Sequence, residues 1–161
     1  MLLPVLLLLL ALALPQTAFA AHAKDLWATV NICDTERSPN VLGVRASMPG
    51  NGTKQTMWMR FRASYYDRAI DDWRDVGGAS LSPWIEVGDA RYRSRQAGRK
   101  FKIEPPAPTT SHVVRGVVEY QWRRGKKVIR RRTQKTRSGH PTGRHGDPRG
   151  YSAGVCEITF P

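Results

Sequence analysis

The stretch VVRGVVEYQWRRGKKVI, residues 113–129, alternates apolar and polar side chains with a period of two. Val114, Gly116, Val118, Tyr120 and Trp122 fall on one face, and Arg115, Glu119 and Gln121 fall on the other. That pattern belongs to a strand with one face in a core and one toward water. Arg123–Lys127 then turns the chain back through Val128 and Ile129, so the segment predicts a long hairpin.

The same period extends outward in both directions. Leu26, Ala28, Val30 and Ile32 share a face of a first strand, and Leu42, Val44, Ala46 and Met48 share a face of a second, with Ser38-Pro39-Asn40 as the turn between them. Pro49-Gly50-Asn51-Gly52 is a turn, after which Met57, Met59 and Phe61 alternate with Trp58, Arg60 and Arg62. Short strands are expected at Trp84–Val87 and Lys100–Ile103, followed by a stiff extended connection, Pro105-Pro106-Ala107-Pro108. A last strand from Ala153 to Phe160 puts Cys156, Ile158 and Phe160 on one face. Asp67–Val76 fits either a helical turn or a short strand around Trp73, and the path of residues 64–83 stays open.

The chain has 161 residues, 40% of them hydrophobic, with 14 Gly, 11 Pro and two Cys. That composition excludes collagen-like and disordered classes and fits one domain. Residues 1–20, MLLPVLLLLLALALPQTAFA, carry no charge, and Ala18-Phe19-Ala20 has the small-x-small form of a signal-peptidase site. The expectation is a signal peptide at 1–20 with cleavage after Ala20, Ala23 being the alternative, and a single domain over 21–161. The apolar run Leu2–Leu14 is shorter than the ~20 residues that span a bilayer, so no transmembrane segment is expected in the mature, secreted or envelope-located protein. In an oxidising compartment Cys33 and Cys156 are expected to form one disulfide tying the first strand to the last. The fold class expected is all-β, an immunoglobulin-like antiparallel β-sandwich of seven to eight strands, with a small barrel as the alternative. The five Trp read as core and sheet-face residues.

The order V-N-x-C-D at Val30–Asp34, M-x-M-R-F at Met57–Phe61, then Trp73, Val76, Trp84 and Phe101, and V-x-Y-x-W-R at Val118–Arg123 resembles uncharacterised exported β-sandwich domains of actinobacteria. Those domains often stand next to the cell-adhesion-related repeats found in bacteria. The resemblance covers most of residues 25–156 and implies an immunoglobulin-like sandwich. It supplies no catalytic residues.

Charge is unevenly distributed. The net is +13 from 26 Lys and Arg against 13 Asp and Glu. Residues 123–137 hold nine of those cations and no acid. Arg123, Arg124, Lys126, Lys127, Arg130, Arg131 and Arg132 are therefore the expected binding residues, with Arg130 and Arg132 on one strand face and Arg131 on the other. Such a field attracts polyanions, and guanidinium groups give bidentate contacts to phosphate. The expected partners are teichoic acid, acidic glycan or, nonspecifically, nucleic acid, or else envelope proteins, met by a monomer. No aromatic residue interleaves the cations of 123–150, which argues against a dedicated single-strand nucleic-acid reader.

The function expected is a non-catalytic exported binding module. Two alternatives come from other classes. A secreted basic phosphodiesterase of the ribonuclease kind would use Glu119 with His140 or His145 as acid and base and an Arg as electrostatic stabiliser. A structural envelope protein would need no ligand. His140, His145 and Asp147 have a spacing that does not specify a metal site, and no cofactor or metal is expected. Asp71, Asp72 and Asp75 make an acidic patch near Trp73 that lacks the glycine and terminal glutamate of a calcium loop. Asn51-Gly52-Thr53 matches a glycosylation pattern but is accounted for by its turn.

Overall fold

In the computed structural model, which describes residues 25–104, 111–140 and 145–160, the period-two stretches become nine antiparallel strands. They are β1 (Trp27–Thr35), β2 (Ser38–Pro49), β3 (Thr56–Asp67), β4 (Asp72–Asp75) and β5 (Ile85–Asp89). β6 (Ser94–Lys102), β7 (Ser111–Arg124), β8 (Lys127–Lys135) and β9 (Cys156–Thr159) complete them. The ordered strand count exceeds the seven or eight expected because the open stretch 64–83 contributes one. The expected leader and the Pro105–Pro108 connection lie outside the described residues. Among the described residues no helix is long and apolar enough to cross a membrane.

Two sheets result. The smaller has the order β1-β2-β6. The larger runs β4-β3-β7-β8, with β5 also pairing β3 and β9 also pairing β7. β3 meets β7 along Thr56–Tyr65, so β4 and β5 share its other flank, and β8 and β9 share the other flank of β7. One apolar core lies between the sheets, built from Val30, Leu42, Val44, Met59, Phe61, Val118, Tyr120, Trp122 and Ile158 among others. The faces read from the alternation at 113–129 are the faces observed, since Val114, Val118 and Tyr120 are fully buried.

The first strand departs from simple alternation. Val30 pairs with Val44, but Ile32 pairs with Gly43, so Asn31 is an extra residue opposed to nothing. A bulge of this kind reverses which face the following side chains take. Ile32 therefore leaves the core face it was expected to share with Val30, and Cys33, paired with Leu42, turns inward. There it is bonded to Cys156 with a Cα–Cα distance of 5.3 Å, within the ordinary range for a disulfide. Because β1 belongs to one sheet and β9 to the other, the bond staples the two layers.

The turn expected at Ser38-Pro39-Asn40 lies earlier in the chain. Thr35 pairs with Ser38, so the β1–β2 connection is Glu36-Arg37, and Ser38-Pro39-Asn40 is already strand. Asn40 takes a positive φ of 57° while its N–H donates to Asp34 Oδ1 at 2.7 Å. The contact runs across the hairpin from β2 to the Asp34 carboxylate of β1, so these residues serve the strand pairing and not a loop.

The open stretch resolves as strand. β3 runs on to Asp67, a tight turn follows with Asp71 at φ 54°, and β4 returns against Ser64–Asp67. Trp73 holds this short hairpin by an edge contact to Tyr66, ring centres 5.5 Å apart, and Arg74 pairs with Asp67 at 3.1 Å. Two other expectations shift. β6 starts at Ser94, well before Lys100. The last strand is only Cys156–Thr159, because Ala153 instead exchanges backbone hydrogen bonds with Val30 at 2.9 and 3.0 Å.

Candidate functional site

The hairpin at 113–135 is closed by Gly125-Lys126, with Arg124 paired to Lys127. Gly125 has φ 56°, a left-handed conformation at the first central position that glycine adopts without a Cβ penalty. Trp122 pairs with Arg130, Gln121 with Arg131 and Tyr120 with Arg132. Paired residues in antiparallel strands share a face. Arg131 is thus on the outer face of the large sheet with Gln121, while Arg130 and Arg132 are on the core side. The division among these three arginines is the one their alternation predicts.

Arg130 and Arg132 nevertheless remain accessible. β8 ends its sheet, and Arg132 is exposed there while Arg130 is partly buried, its guanidinium 5.1 Å from the ring centre of Trp122. Desolvation, and then the neighbouring Arg132, lower the pKa of Arg130. Among the described residues, Arg124, Lys126, Lys127, Arg130, Arg131 and Arg132 make no ion pair with a carboxylate. They are cations crowded along one strand and turn without local neutralisation.

Arg123 behaves differently from the rest of the expected set. Its Nε donates to Gln121 Oε1 at 2.8 Å, and its guanidinium lies 4.4 Å from the ring centre of Trp58 and 4.9 Å from that of Trp84. Arg60 adds a second cation 4.7 Å from Trp84 and pairs with Glu119 at 2.5 Å. The result is an interleaved layer of Trp58, Arg123, Trp84, Arg60 and Glu119 across β3, β7 and the residue before β5. Arg123 is therefore not the free binding charge expected of it, and Arg60 and Trp84 join it in the layer. The signal available was the shared outward parity of Trp58, Arg60, Glu119 and Arg123, which becomes a contact only once the β3–β7 register is known.

Between this layer and β8 lies a cavity of about 280 Å³. Arg60, Trp84, Glu119, Gln121, Arg131 and Thr133 contribute to its walls. Glu119 is committed to Arg60, so the uncompensated charge at the cavity is that of Arg131 and of Arg132, which also borders it.

The residues considered for acid–base chemistry do not converge. Glu119 is on the outer face of the large sheet. His145 is held against the small sheet, where its carbonyl accepts from Asn31 Nδ2 at 2.5 Å. His140 stacks on Trp27 at the start of β1, centroids 4.9 Å apart and planes 7° from parallel, and burial lowers its pKa. Asp147 accepts from the Thr35 hydroxyl at 2.6 Å. The acidic patch is similarly occupied, as Asp75 binds Arg62 at 2.9 Å and Asp71 accepts from the Tyr66 hydroxyl. Among the described residues no three His, Cys, Asp or Glu side chains form a metal-binding group. Asn51 Oδ1 accepts from both the N–H and the hydroxyl of Thr53, at 3.1 and 2.7 Å, which is the turn role read from the sequence.

Comparison of the chain with protein-family models, curated proteins and solved structures yields no match.

Proposed function

We propose that this chain is an exported, immunoglobulin-like binding module that holds linear anionic polymers of the cell envelope or extracellular space along β8 and the β7–β8 turn. The observation that carries the reading is the run Lys127, Arg130, Arg131 and Arg132 on an edge strand, none of it paired to a carboxylate among the described residues. Crowded like charges raise one another's energy, the partly buried Arg130 most directly through Arg132, and a phosphate or sulfate ester relieves that cost. An immunoglobulin-like identity is supported by the strand order: a β1-β2-β6 layer faces a layer centred on β3-β7-β8, and the chain crosses between layers after β2, after β5 and after β6. The uncharged, apolar sequence of residues 1–20 supports export, and the disulfide is compatible with it.

Anionic glycopolymers are favoured over single-stranded nucleic acid. The Trp58 and Trp84 rings beside the cations already carry the Arg60 and Arg123 guanidinium groups, whereas nucleic-acid platforms need open ring faces for bases. The module is read as non-catalytic because Glu119 stands on the outer face of the large sheet, whereas His140 and His145 pack against β1 of the small one.

The test is retention of the oxidised 21–161 protein on teichoic acid, heparin, DNA and an uncharged glycan across a salt series. The comparison protein carries Arg130→Ser, Arg131→Ser and Arg132→Ser. Salt-sensitive retention that weakens in the variant, with a log–log salt slope smaller by about one unit per lost contact, supports the site. Equal retention of both proteins on every anionic support overturns it.

A further inference from the structure

The outer face of the small sheet has a second concentration of cations, assembled from parts of the chain that no local motif connects. Arg45 projects from β2 opposite Gly98 of β6. Lys100 follows two residues along β6 on the same face, opposite Gly43. Arg37 comes from the β1–β2 turn, and Arg149 from the segment that Asn31 and Ile32 hold against β1. Together they border an open groove of about 1290 Å³. That is larger than the ~300–1,000 Å³ usual for small-molecule pockets, and it suits a length of chain.

The groove has built features beyond its charge. A glycine, Gly98, stands opposite Arg45 on its floor. A Cβ at Gly98 would sit 3.0 Å from the Val44 carbonyl oxygen. Arg45 is partly buried there and is held from one side by Gln96, whose Oε1 accepts from both Nε and Nη2 at 3.1 and 2.9 Å. A neutral amide positions the guanidinium without cancelling its charge, leaving its other N–H groups to a ligand. Desolvation lowers the Arg45 pKa, the sign expected of a charge lacking a counter-ion. The acids at the rim are Glu36 and Asp147, and Asp147 already accepts from Thr35. Among the described residues, Arg37, Arg45, Lys100 and Arg149 make no ion pair.

We infer that this groove is a second anion-binding site for a sulfated or phosphorylated polysaccharide segment. Since β8 lies in the other sheet, the chain then has two polymer sites on different layers and cross-links anionic strands as a monomer. The cross-linking clause rests on the β8 reading proposed above; the groove site does not.

The probe is a heparin octasaccharide, titrated calorimetrically at low salt against the oxidised protein. A groove variant carries Arg37→Ser, Lys100→Ser and Arg149→Ser, all exposed positions, and Lys100→Glu alone is a milder second variant. The β8 variant is the triple serine protein described above. Thermal unfolding of each variant near the wild-type temperature establishes that it is folded. Two equivalents bound by the wild type, and one by either triple variant, support the inference, as does at least a several-fold loss at one site in Lys100→Glu. Long heparin then makes wild-type solutions turbid and leaves both triple variants clear. One equivalent, kept in the groove variant and lost in the β8 variant, overturns the groove while leaving the β8 site standing. One equivalent lost only in the groove variant overturns the β8 reading and the cross-linking with it. Absence of binding to any of the proteins overturns both sites.

Discussion

Gly116 of β7 faces Val44 of β2 so closely that a Cβ at position 116 would lie 2.5 and 2.8 Å from the two valine methyl carbons. It would also meet the Thr136 methyl at 2.9 Å. The glycine in the VVRGVV run thus lets the two sheets approach closely at this point. Gly116→Ala is expected to destabilise the protein by about 1–3 kcal/mol through overpacking. Val44→Ala, which removes the two opposing methyls, should recover part of that loss in the double variant, a coupling that urea denaturation of all four proteins measures. Additive losses would show that the pair does not clash.

Tyr120 donates its hydroxyl proton to the Trp27 carbonyl at 2.8 Å, linking the core of one sheet to the start of the other. Tyr120→Phe leaves that carbonyl without its donor. The expected cost is about 1–2 kcal/mol, the penalty for stranding a largely buried acceptor. Chemical denaturation with an unchanged m-value would confirm that only stability moved.

The Cys33–Cys156 bond spans 123 residues of sequence. Constraining a loop that long removes unfolded-state entropy worth about 4–5 kcal/mol in the chain-entropy model. The Cys33→Ser, Cys156→Ser double variant should therefore unfold at much lower denaturant concentration than the oxidised protein, and added reductant should affect only the latter. A midpoint that coincides for both would contradict the bond's role as the staple between layers.

His140 has its pKa lowered by burial against Trp27. The unfolded chain takes up a proton there near the ordinary value of about 6.5, and the folded chain resists it. Unfolding then becomes proton-linked, and stability contributed by the neutral ring above about pH 7 falls as the pH drops into the fives. His140→Phe keeps an aromatic ring on Trp27 and has no proton to gain, so its melting temperature should decline less between pH 7.5 and 5.5. Parallel profiles for the two proteins would refute the assignment.

The legible parts of the molecule were those where one residue type repeats at fixed parity. Val114, Val118, Tyr120 and Trp122 announce their common face without any knowledge of what covers it. Ile32 could not be placed the same way, because the bulge at Asn31 leaves no mark on the apolar pattern and is set by the β1–β2 register. Residues 64–83 mix Tyr66, Trp73 and alternating charges, so neither period dominates, and strand wins through cross-strand contacts of Trp73 with Tyr66 and Arg115. The cationic run at 123–132 stands out in any reading of the sequence. The groove does not, since Arg37, Arg45, Lys100 and Arg149 come from four separate segments and meet only through the small sheet and the segment packed on it.

Both sheets end in strands rich in positive charge, β6 at one end of the small sheet and β8 at one end of the large one. Unpaired strand edges template the addition of further strands, and closely spaced like charges oppose it when two copies approach edge to edge. The same Lys and Arg residues that would grip a polymer therefore act as mutual spacers between protein molecules. On the β8 reading proposed above, a polyanion lying along that strand would cancel the repulsion and lower the barrier to lateral stacking of copies. The charges that hold two free copies apart edge to edge would then be the same ones that a bound polymer neutralises.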